Sequence, residues 1–568
     1  MRRRRGGPSR PPEGDGRRRQ VLRRRATVIA AGVAVLITIL VVFVLSGSGV
    51  EPPATGAARI VPADALAYVH LSTDPGRPAV RQAEAMARRF PDYPLAYAAV
   101  VNRLGAIVGG SDAGSGSSSG SGSSSGSGSS SGSGASSGSG DFASAARPWL
   151  GKEAAMAVLG TAGGSTSSLI VLDVKSAPRA RAFVVRSGAS PVGAYHGVRI
   201  LGYSSGTELA FVKNYLVVGS DAGIRAAIDA AAGRARSLAN DSAYERASAG
   251  EPAGRVLDAY LPPAGLRGLL GSRGGVAGAV ALLLDRPGLQ GTAMSVSATS
   301  GGADVWIHSA LAATRSHPVT FAPTLGSVLP AGSTLMFDVD GLSRAAPQLL
   351  RAAATAGFAG NVAPLLARLG AALKAEGVNV HEIDSIFGGE TAVALSPGPS
   401  PSLLIVARTS NEAATRSELA GLEGPLTALF PAPTSGPGQI AGLGDQQVGG
   451  VTVHELGLGP GLQIDYTVWN GLVVVSTSVR AIDQVVSRGR SLSDQKAYGT
   501  ALSDQPAKVS SVLFTDFSQL LSLGEQIGLT SGTRVRELLP DLTKVRAIGL
   551  SSTSGESDTT TELRLEIP

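Results

Sequence analysis

The order of apolar and polar positions along the chain predicts elements of three kinds. The first is one uninterrupted run, "ATVIAAGVAVLITILVVFVL", Ala26 to Leu45, twenty residues without a charge. A helix rising 1.5 Å per residue reaches roughly 30 Å over that length, the thickness of a bilayer core. A helix buried in a protein core would keep a polar stripe, so the pattern predicts a single transmembrane helix over 26–45. The second kind is short. "LAYVHLS", "AMAVLG", "SLIVLDV", "YLVVGS", "LQIDYTV" and "GLVVVST" alternate or are rich in β-branched residues, as strands are. The third has the helical period: "AVRQAEAMARRF", "DAGIRAAIDAAAG" and "SRAAPQLLRAAATAG". In the second of these Asp221 is the expected N-cap and Gly233 the expected residue just past the helix end. Gly206, Asn214, Asn470 and Gly471 mark turns. Consecutive strands are joined by short turns, not always by helices, so the expected class is α+β with mainly antiparallel sheet.

The pattern occurs twice. "RARSLANDSAYERA", Arg234 to Ala247, returns as "RGRSLSDQKAYGTA", Arg488 to Ala501, with seven of fourteen positions identical. The offset of 254 persists in Pro252-Ala253 against Pro506-Ala507, and in "MSVSATSGGAD" from Met294 against "IGLSSTSGESD" from Ile548. Upstream, "WLGKEAAMAVL" from Trp149 matches "IFGGETAVAL" from Ile386, and "VPADALAYVHLS" from Val61 matches "LPAGSTLMFDVDG" from Leu329. Between Pro62 and Glu153 the first half is longer by 31 residues than the second between Pro330 and Glu390. Gly110 to Gly140 is 31 residues of almost pure glycine and serine. Such a segment cannot bury enough surface to order itself and reads as a disordered insertion. The expected organisation is a basic disordered cytoplasmic tail at 1–25, the transmembrane helix at 26–45, a linker at 46–59, and an internally duplicated α+β ectodomain. Its first half covers 60–315, with the insertion at 110–140, and its second half covers 325–568.

Charge assigns the orientation. The net charge is +7, but residues 1–25 hold eleven arginines against two acids, which leaves the rest of the chain at −2. A nucleic-acid-binding domain would need its own basic face, so no nucleic-acid partner is expected. The arginines precede the span, so the positive-inside rule places the amino terminus in the cytoplasm and the large domain outside the cell membrane. "RRQVLRR" also resembles a twin-arginine export signal. A cleaved signal is thus the alternative to an uncleaved anchor, although "SGSGVEPPATGAA" has no clear A-x-A site. The chain has no cysteine, which excludes disulfides, thiolate metal sites and a cysteine nucleophile.

Candidate chemistry is sparse. Arg234 and Arg236 recur as Arg488 and Arg490, a weak candidate for an anion or partner site. They also follow a helix end, where the dipole favours cations. Scaffold is therefore the expected role of the repeated segment, with Tyr244 and Tyr498 largely buried in equivalent places. "GSSSG", Gly116 to Gly120, has the form G-x-S-x-G but lies in the insertion, without the strand-to-helix turn that motif needs. "SDQK", Ser493 to Lys496, has the form S-x-x-K, yet no K-T-G follows and the first half has Ala239 and Ser242 there. His381-Glu382 and His454-Glu455 do not continue to H-E-x-x-H, and the six histidines lack metal-ligand spacing. "FDVDG", Phe337 to Gly341, places two carboxylates on one strand face, too few for calcium, and its counterparts in the first half are His70 and Ser72. "GLGPG", Gly457 to Gly461, reads as a hairpin turn. No catalytic, cofactor-binding or metal residue is assigned, and no cofactor is expected.

A span followed by "VPADALAYVHLSTD", "PWLGKEAAMAVL", "IVLDV" and "GSDAGIRAAIDAAAG" with later "SL" and "AY" resembles a family of bacterial membrane-anchored or secreted proteins known as domain of unknown function 3352. The resemblance covers most of 60–568. It implies an envelope location and a duplicated α+β layout, and it brings no catalytic residues. The Gly/Ser insertion departs from the family pattern. The expected function is that of a non-enzymatic, single-pass cell-envelope protein whose extracellular domain binds an envelope protein or polymer, or supports the cell surface. One alternative is a hydrolase of envelope polymers, which would need a pocket with converging serine, histidine and acid. The other is a carrier or sensor for lipids or other apolar ligands, which would need a long apolar groove.

Overall fold

A computed structural model describes residues 51–109, 140–160, 164–313, 318–356, 385–396, 402–429, 442–459, 462–526 and 533–568. The expected tail, the expected transmembrane helix at 26–45, all of the expected insertion but Gly140, "GSSSG" and the His381-Glu382 pair lie outside the described residues. Among the described residues no helix is long and apolar enough to cross a membrane.

Among the described residues ten strands belong to the first half: β1 (Ala67–Ser72), β2 (Leu150–Gly160), β3 (Thr166–Val174), β4 (Ser190–Tyr195), β5 (Val198–Gly202), β6 (Glu208–Val212), β7 (Tyr215–Gly219), β8 (Leu257–Leu261), β9 (Leu289–Thr299) and β10 (Gly302–Leu311). Ten follow in the second: β11 (Leu335–Asp340), β12 (Glu390–Ser396), β13 (Ser402–Arg408), β14 (Gly442–Val448), β15 (Val451–Gly459), β16 (Leu462–Trp469), β17 (Leu472–Ser476), β18 (Ser511–Asp516), β19 (Ala547–Ser554) and β20 (Asp558–Glu566). In the first half the pairing path is β4-β5-β6-β7-β3-β2-β1-β8-β9-β10. In the second it is β14-β15-β16-β17-β13-β12-β11-β18-β19-β20. Each strand's counterpart stands ten places later. β10 pairs with β20, from Gly302↔Glu566 to Ala310↔Asp558, and joins the two paths into one sheet. All of these pairings are antiparallel, and with the helices they make the fold α+β. The strands read from the sequence appear as β1, β2, β3, β7, β16 and β17.

Each half packs a short amphipathic helix on its sheet. The helix Asp221–Ala231 buries Ile224, Ala227, Ile228 and Ala231, one face of a 3.6-residue period. Its counterpart Val479–Val486 buries Ala481, Ile482, Val485 and Val486. The N-cap is not Asp221. It is Ser220, whose hydroxyl accepts from Gly223 N at 3.3 Å, because Asp221 already has helical geometry and instead pairs with Arg225 one turn on. Gly233 has φ +73° and occupies the left-handed position past the helix end, as expected.

The repeated segment laces the start of each half to the end of this helix. Ala63 N donates to Arg236 O at 3.0 Å and Leu238 N to Val61 O at 2.8 Å. In the second half Ala331 N donates to Arg490 O and Leu492 N to Leu329 O, both at 2.8 Å. Leu238 and Leu492 are completely buried. Tyr244 meets Tyr68 and Tyr260 edge-on, with centroids 6.1 and 5.2 Å apart, and Tyr498 meets Phe514 at 5.2 Å. Phe514 is the counterpart of Tyr260, so the two tyrosines do occupy equivalent places. They are half-buried rather than largely buried, because the six-residue helices that carry them sit on the outer side of each core. Tyr244→Ala and Tyr498→Ala are each expected to cost about 2–3 kcal/mol in chemical denaturation, below the range for a fully buried aromatic. Arg236→Ala and Arg490→Ala are expected to cost at most about 1 kcal/mol. The reverse ranking would make the segment a site rather than a scaffold.

Candidate functional site

The seam between β10 and β20 carries a cavity lined by charged, polar and aromatic side chains. On β10 the alternation of a strand places Asp304, Trp306 and His308 on one face, and their partners on β20 are Arg564, Glu562 and Thr560. The short helices Ser242–Ala247 and Lys496–Ala501 pack on this face from the two sides. Between them lies a cavity of about 250 Å³, lined among others by Ser297, Asp304, Trp306, Asp504, Glu562 and Arg564.

Its electrostatics are acidic. Arg564 donates to both oxygens of Asp304, at 2.7 and 3.1 Å, and touches Asp504 and Ser503. These hydrogen bonds, that to Asp304 above all, outweigh burial and raise the guanidinium's pKa further. Glu562 has no such partner to lower its pKa enough. Burial first, and then the charges of Asp504 and Asp304, push its carboxyl up, against the opposing charge of Arg564. The Trp306 ring stacks on His308 at 5.3 Å, and His308 Nδ1 lies 2.9 Å from Ala247 O. The Ser297 hydroxyl is buried without a hydrogen-bond partner. The lining includes Ser297 and Ser551 but no histidine or lysine to serve either as a base. Nor is it a long apolar groove.

None of the four arginines singled out in the sequence lines this cavity. Arg234 pairs with Asp229 at 2.8 Å. Arg488 has φ +48° and holds its guanidinium over the Trp469 ring, 5.1 Å from the centroid. Arg236 and Arg490 are exposed and contribute the carbonyl hydrogen bonds already described. The S-x-x-K match is a capping arrangement: Ser493 Oγ lies 2.9 Å from Ser491 Oγ, and Asp494 accepts from Ser491 N at 2.8 Å. "GLGPG" falls at the β15–β16 hairpin, where Gly459 pairs with Leu462. In "FDVDG" Asp340 pairs with Arg344 at 3.4 Å and Asp338 is fully buried. Among the described residues no three His, Asp or Glu side chains gather as metal ligands.

The structure also assembles a buried ionic network that sequence reasoning missed. In the first half His70 Nδ1 lies 2.8 Å from Asp258 Oδ2, and its Nε2 lies 3.3 Å from Glu153 Oε2. Tyr215 donates to Glu153 Oε1 at 2.6 Å and Ala57 N to Oε2 at 3.2 Å. Arg255 Nε sits 2.6 Å from Asp258 and 3.0 Å from Glu251. Burial alone would lower the His70 pKa, but the hydrogen bonds and charges of Asp258 and Glu153 prevail and raise it to about 9. For Glu153, burial is overcome by hydrogen bonds from His70 and Tyr215, which hold its carboxyl below the usual range. His70, Glu153 and Asp258 are 1%, 2% and 4% exposed, so the network is closed off from solvent. In the second half the same registers bring Asp338 beside Glu390, while Val512 replaces Asp258. Two polar positions aligned on facing strands, His70 with Asp338 and Glu153 with Glu390, were the available signal.

The family model described as "Protein of unknown function (DUF3352)" matches residues 133–567. The chain belongs to this family. The DUF3352 match includes every strand of the seam, β9, β10, β19 and β20. No curated protein sequence matches the chain. Among solved structures, crystal form I of TP0453 is similar over 46% of this chain and 81% of that one, at 10% identity and a TM-score of 0.23. Crystal form IV of TP0453 is similar over 45% and 83%, at 11% identity and the same TM-score of 0.23.

Proposed function

We propose that this DUF3352 protein is an internally duplicated, single-pass envelope protein with no enzymatic activity of its own. Its extracellular domain binds a cationic group of an envelope protein or polymer in the seam cavity. The observation that carries this reading is the charge balance of that cavity. Asp304, Asp504 and Glu562 face one guanidinium, Arg564, which Asp304 and Asp504 already engage. An amine or guanidine entering beside Glu562 gains a carboxylate and can lie against the Trp306 indole, a contact contributing about 0.5–2 kcal/mol. The uncharged run 26–45 and the eleven arginines before it support the anchor and its orientation. A hydrolase reading would need a histidine or lysine beside Ser297 or Ser551, where the cross-strand neighbours are Asp304 and Glu562, and a lipid carrier would need an apolar lining.

A lysine-rich hexapeptide is expected to change the Trp306 emission saturably, with an affinity that falls as salt is raised. The same peptide with its lysines acetylated is expected to have no effect. Trp306→Phe removes the signal, and Glu562→Gln weakens binding several-fold without changing the melting temperature. An emission change that does not saturate, or that survives acetylation, would refute a cation site here.

A further inference from the structure

The described domain meets the segment that precedes it at one particular edge. Leu45, the last residue of the uncharged run, is six residues before Glu51, and six extended residues reach at most about 20 Å. Glu51 is held in place. Its carbonyl accepts from Arg77 Nη2 at 2.8 Å and Nε at 3.2 Å, and the same Nη2 donates to Ala253 O and Arg255 O. Arg77 is 5% exposed, so this is a buried clamp. It stands where β1 ends and β8 begins, since Ser72 N donates to Val256 O there. The strand ends Gly302, Glu566, Ala547 and Asp516 continue the same edge of the sheet.

The helices at this edge leave apolar side chains in the open. Pro78–Ala87 follows Arg77 directly and packs Met86 and Ala87 with Ala298 and Ala303, on the sheet face opposite Ser297 and Asp304. The next helix, Tyr93–Val108, begins with Pro94, Leu95 and Tyr97 facing outward. Leu95 is 72% exposed and Tyr97 39%. Asp92 N donates to Asp541 Oδ1 at 3.2 Å, which ties this helix to Thr533–Leu542, where Leu538 is 49% exposed. Arg88, exposed and ion-paired with Glu84, stands at the end of the first of these helices, and Arg103, half-buried, stands on the second. Leucine and tyrosine among arginines is the composition of a surface that sits at a bilayer interface, with rings at headgroup level and cations near anionic lipid.

We propose that this edge, centred on Leu95 and Tyr97, rests in the headgroup layer of the same bilayer that holds residues 26–45. The inference rests on the anchored reading above, and the tether length supports it: the clamp at Glu51 keeps this edge within about 20 Å of the end of the uncharged run. The absence of cysteine allows single-cysteine variants of the full chain. Leu36→Cys, Leu95→Cys and Asn240→Cys are each labelled with a nitrobenzoxadiazole dye and reconstituted in phosphatidylcholine–phosphatidylglycerol vesicles containing nitroxide lipid. Leu36 lies within the span, and Asn240 is exposed on the opposite sheet face. The dye at 36 and at 95 is expected to be blue-shifted and quenched several-fold more than the dye at 240. Quenching at 36 with only the level of 240 at 95 overturns the docking and leaves the anchor standing. No quenching at 36 overturns the anchor itself, and the docking with it.

Discussion

Replacing His70 by alanine is expected to destabilise the first half by about 3–5 kcal/mol at neutral pH, the usual cost of breaking a buried ion pair. The substitution removes the cation that lies between Glu153 and Asp258, both almost fully buried, and leaves two carboxylates with less compensation. The pH dependence gives a second and more specific test. The folded pKa of His70, about 9, lies above its ordinary value of 6.5. The folded state therefore holds a proton that the unfolded chain releases. The stabilisation is fully present below pH 6.5, declines as the pH rises, and is gone above about 9. A change of that size corresponds to about 3 kcal/mol. Glu251, pushed up from 4.5 to about 8 by burial and then by Asp258 against the pull of Arg255, adds a decline of its own that starts above pH 4.5 and is complete by about 8. In His70→Ala the part of the alkaline decline due to His70 is expected to vanish. Denaturant unfolding of the two proteins between pH 6 and 10 checks both effects. If the variant shows an alkaline decline equal to the parent's, the charged His70 is not what holds the network together.

What could be read in the sequence was local or periodic. The offset of 254 residues leads directly to the matching strand paths, because each repeat preserves its own alternation and its own turns. The helix at Asp221–Ala231 and its stop at Gly233 were legible for the same reason. The cap at Ser220 was missed by one residue, since a serine and an aspartate side by side both suit that position. The seam cavity was not legible. Asp304 and Arg564 stand 260 residues apart, and only the pairing of β10 with β20 makes them neighbours. His70 was hidden for a related reason. One polar residue in "LAYVHLS" reads as the outward side of a strand, and nothing local reveals that β8 brings Asp258 opposite it. The four arginines attracted attention because they repeat. Their carbonyls at 236 and 490 make matching backbone hydrogen bonds in the two halves, and none of their side chains lines the seam cavity.

The same pair of strand positions is handled differently in the second half, and there the expected substitution is stabilising. Asp338 is completely buried, its two carboxyl oxygens lack hydrogen-bond partners, and its neighbour across the strands is another carboxylate, Glu390. Glu390 is well served: Leu325 N at 2.9 Å, Thr324 Oγ1 at 2.6 Å and Arg408 Nε at 2.9 Å all donate to it. Asp338 therefore carries the strain of the pair. Burial first, and then the charge of Glu390, raise its pKa from 3.8 to about 7. For an acid raised in this way the stability is fully present below pH 3.8 and is lost as the pH rises through about 7. The penalty at pH 8 amounts to about 4 kcal/mol. Asp338→Asn keeps the shape, removes the charge and brings an N–H donor beside Glu390. The variant is expected to match the parent near pH 4 and to exceed it by about 3 kcal/mol at pH 8. For a half of this size that gain raises the melting temperature by about 2–4 °C per kcal/mol. Hydrogen exchange in β11 and β12 is expected to slow in the variant at pH 8 and to be unchanged in β1 and β2. A variant that is less stable than the parent at pH 8, or that keeps the parent's slope between pH 4 and 8, would mean that Asp338 is not the buried acid whose ionisation weakens this half.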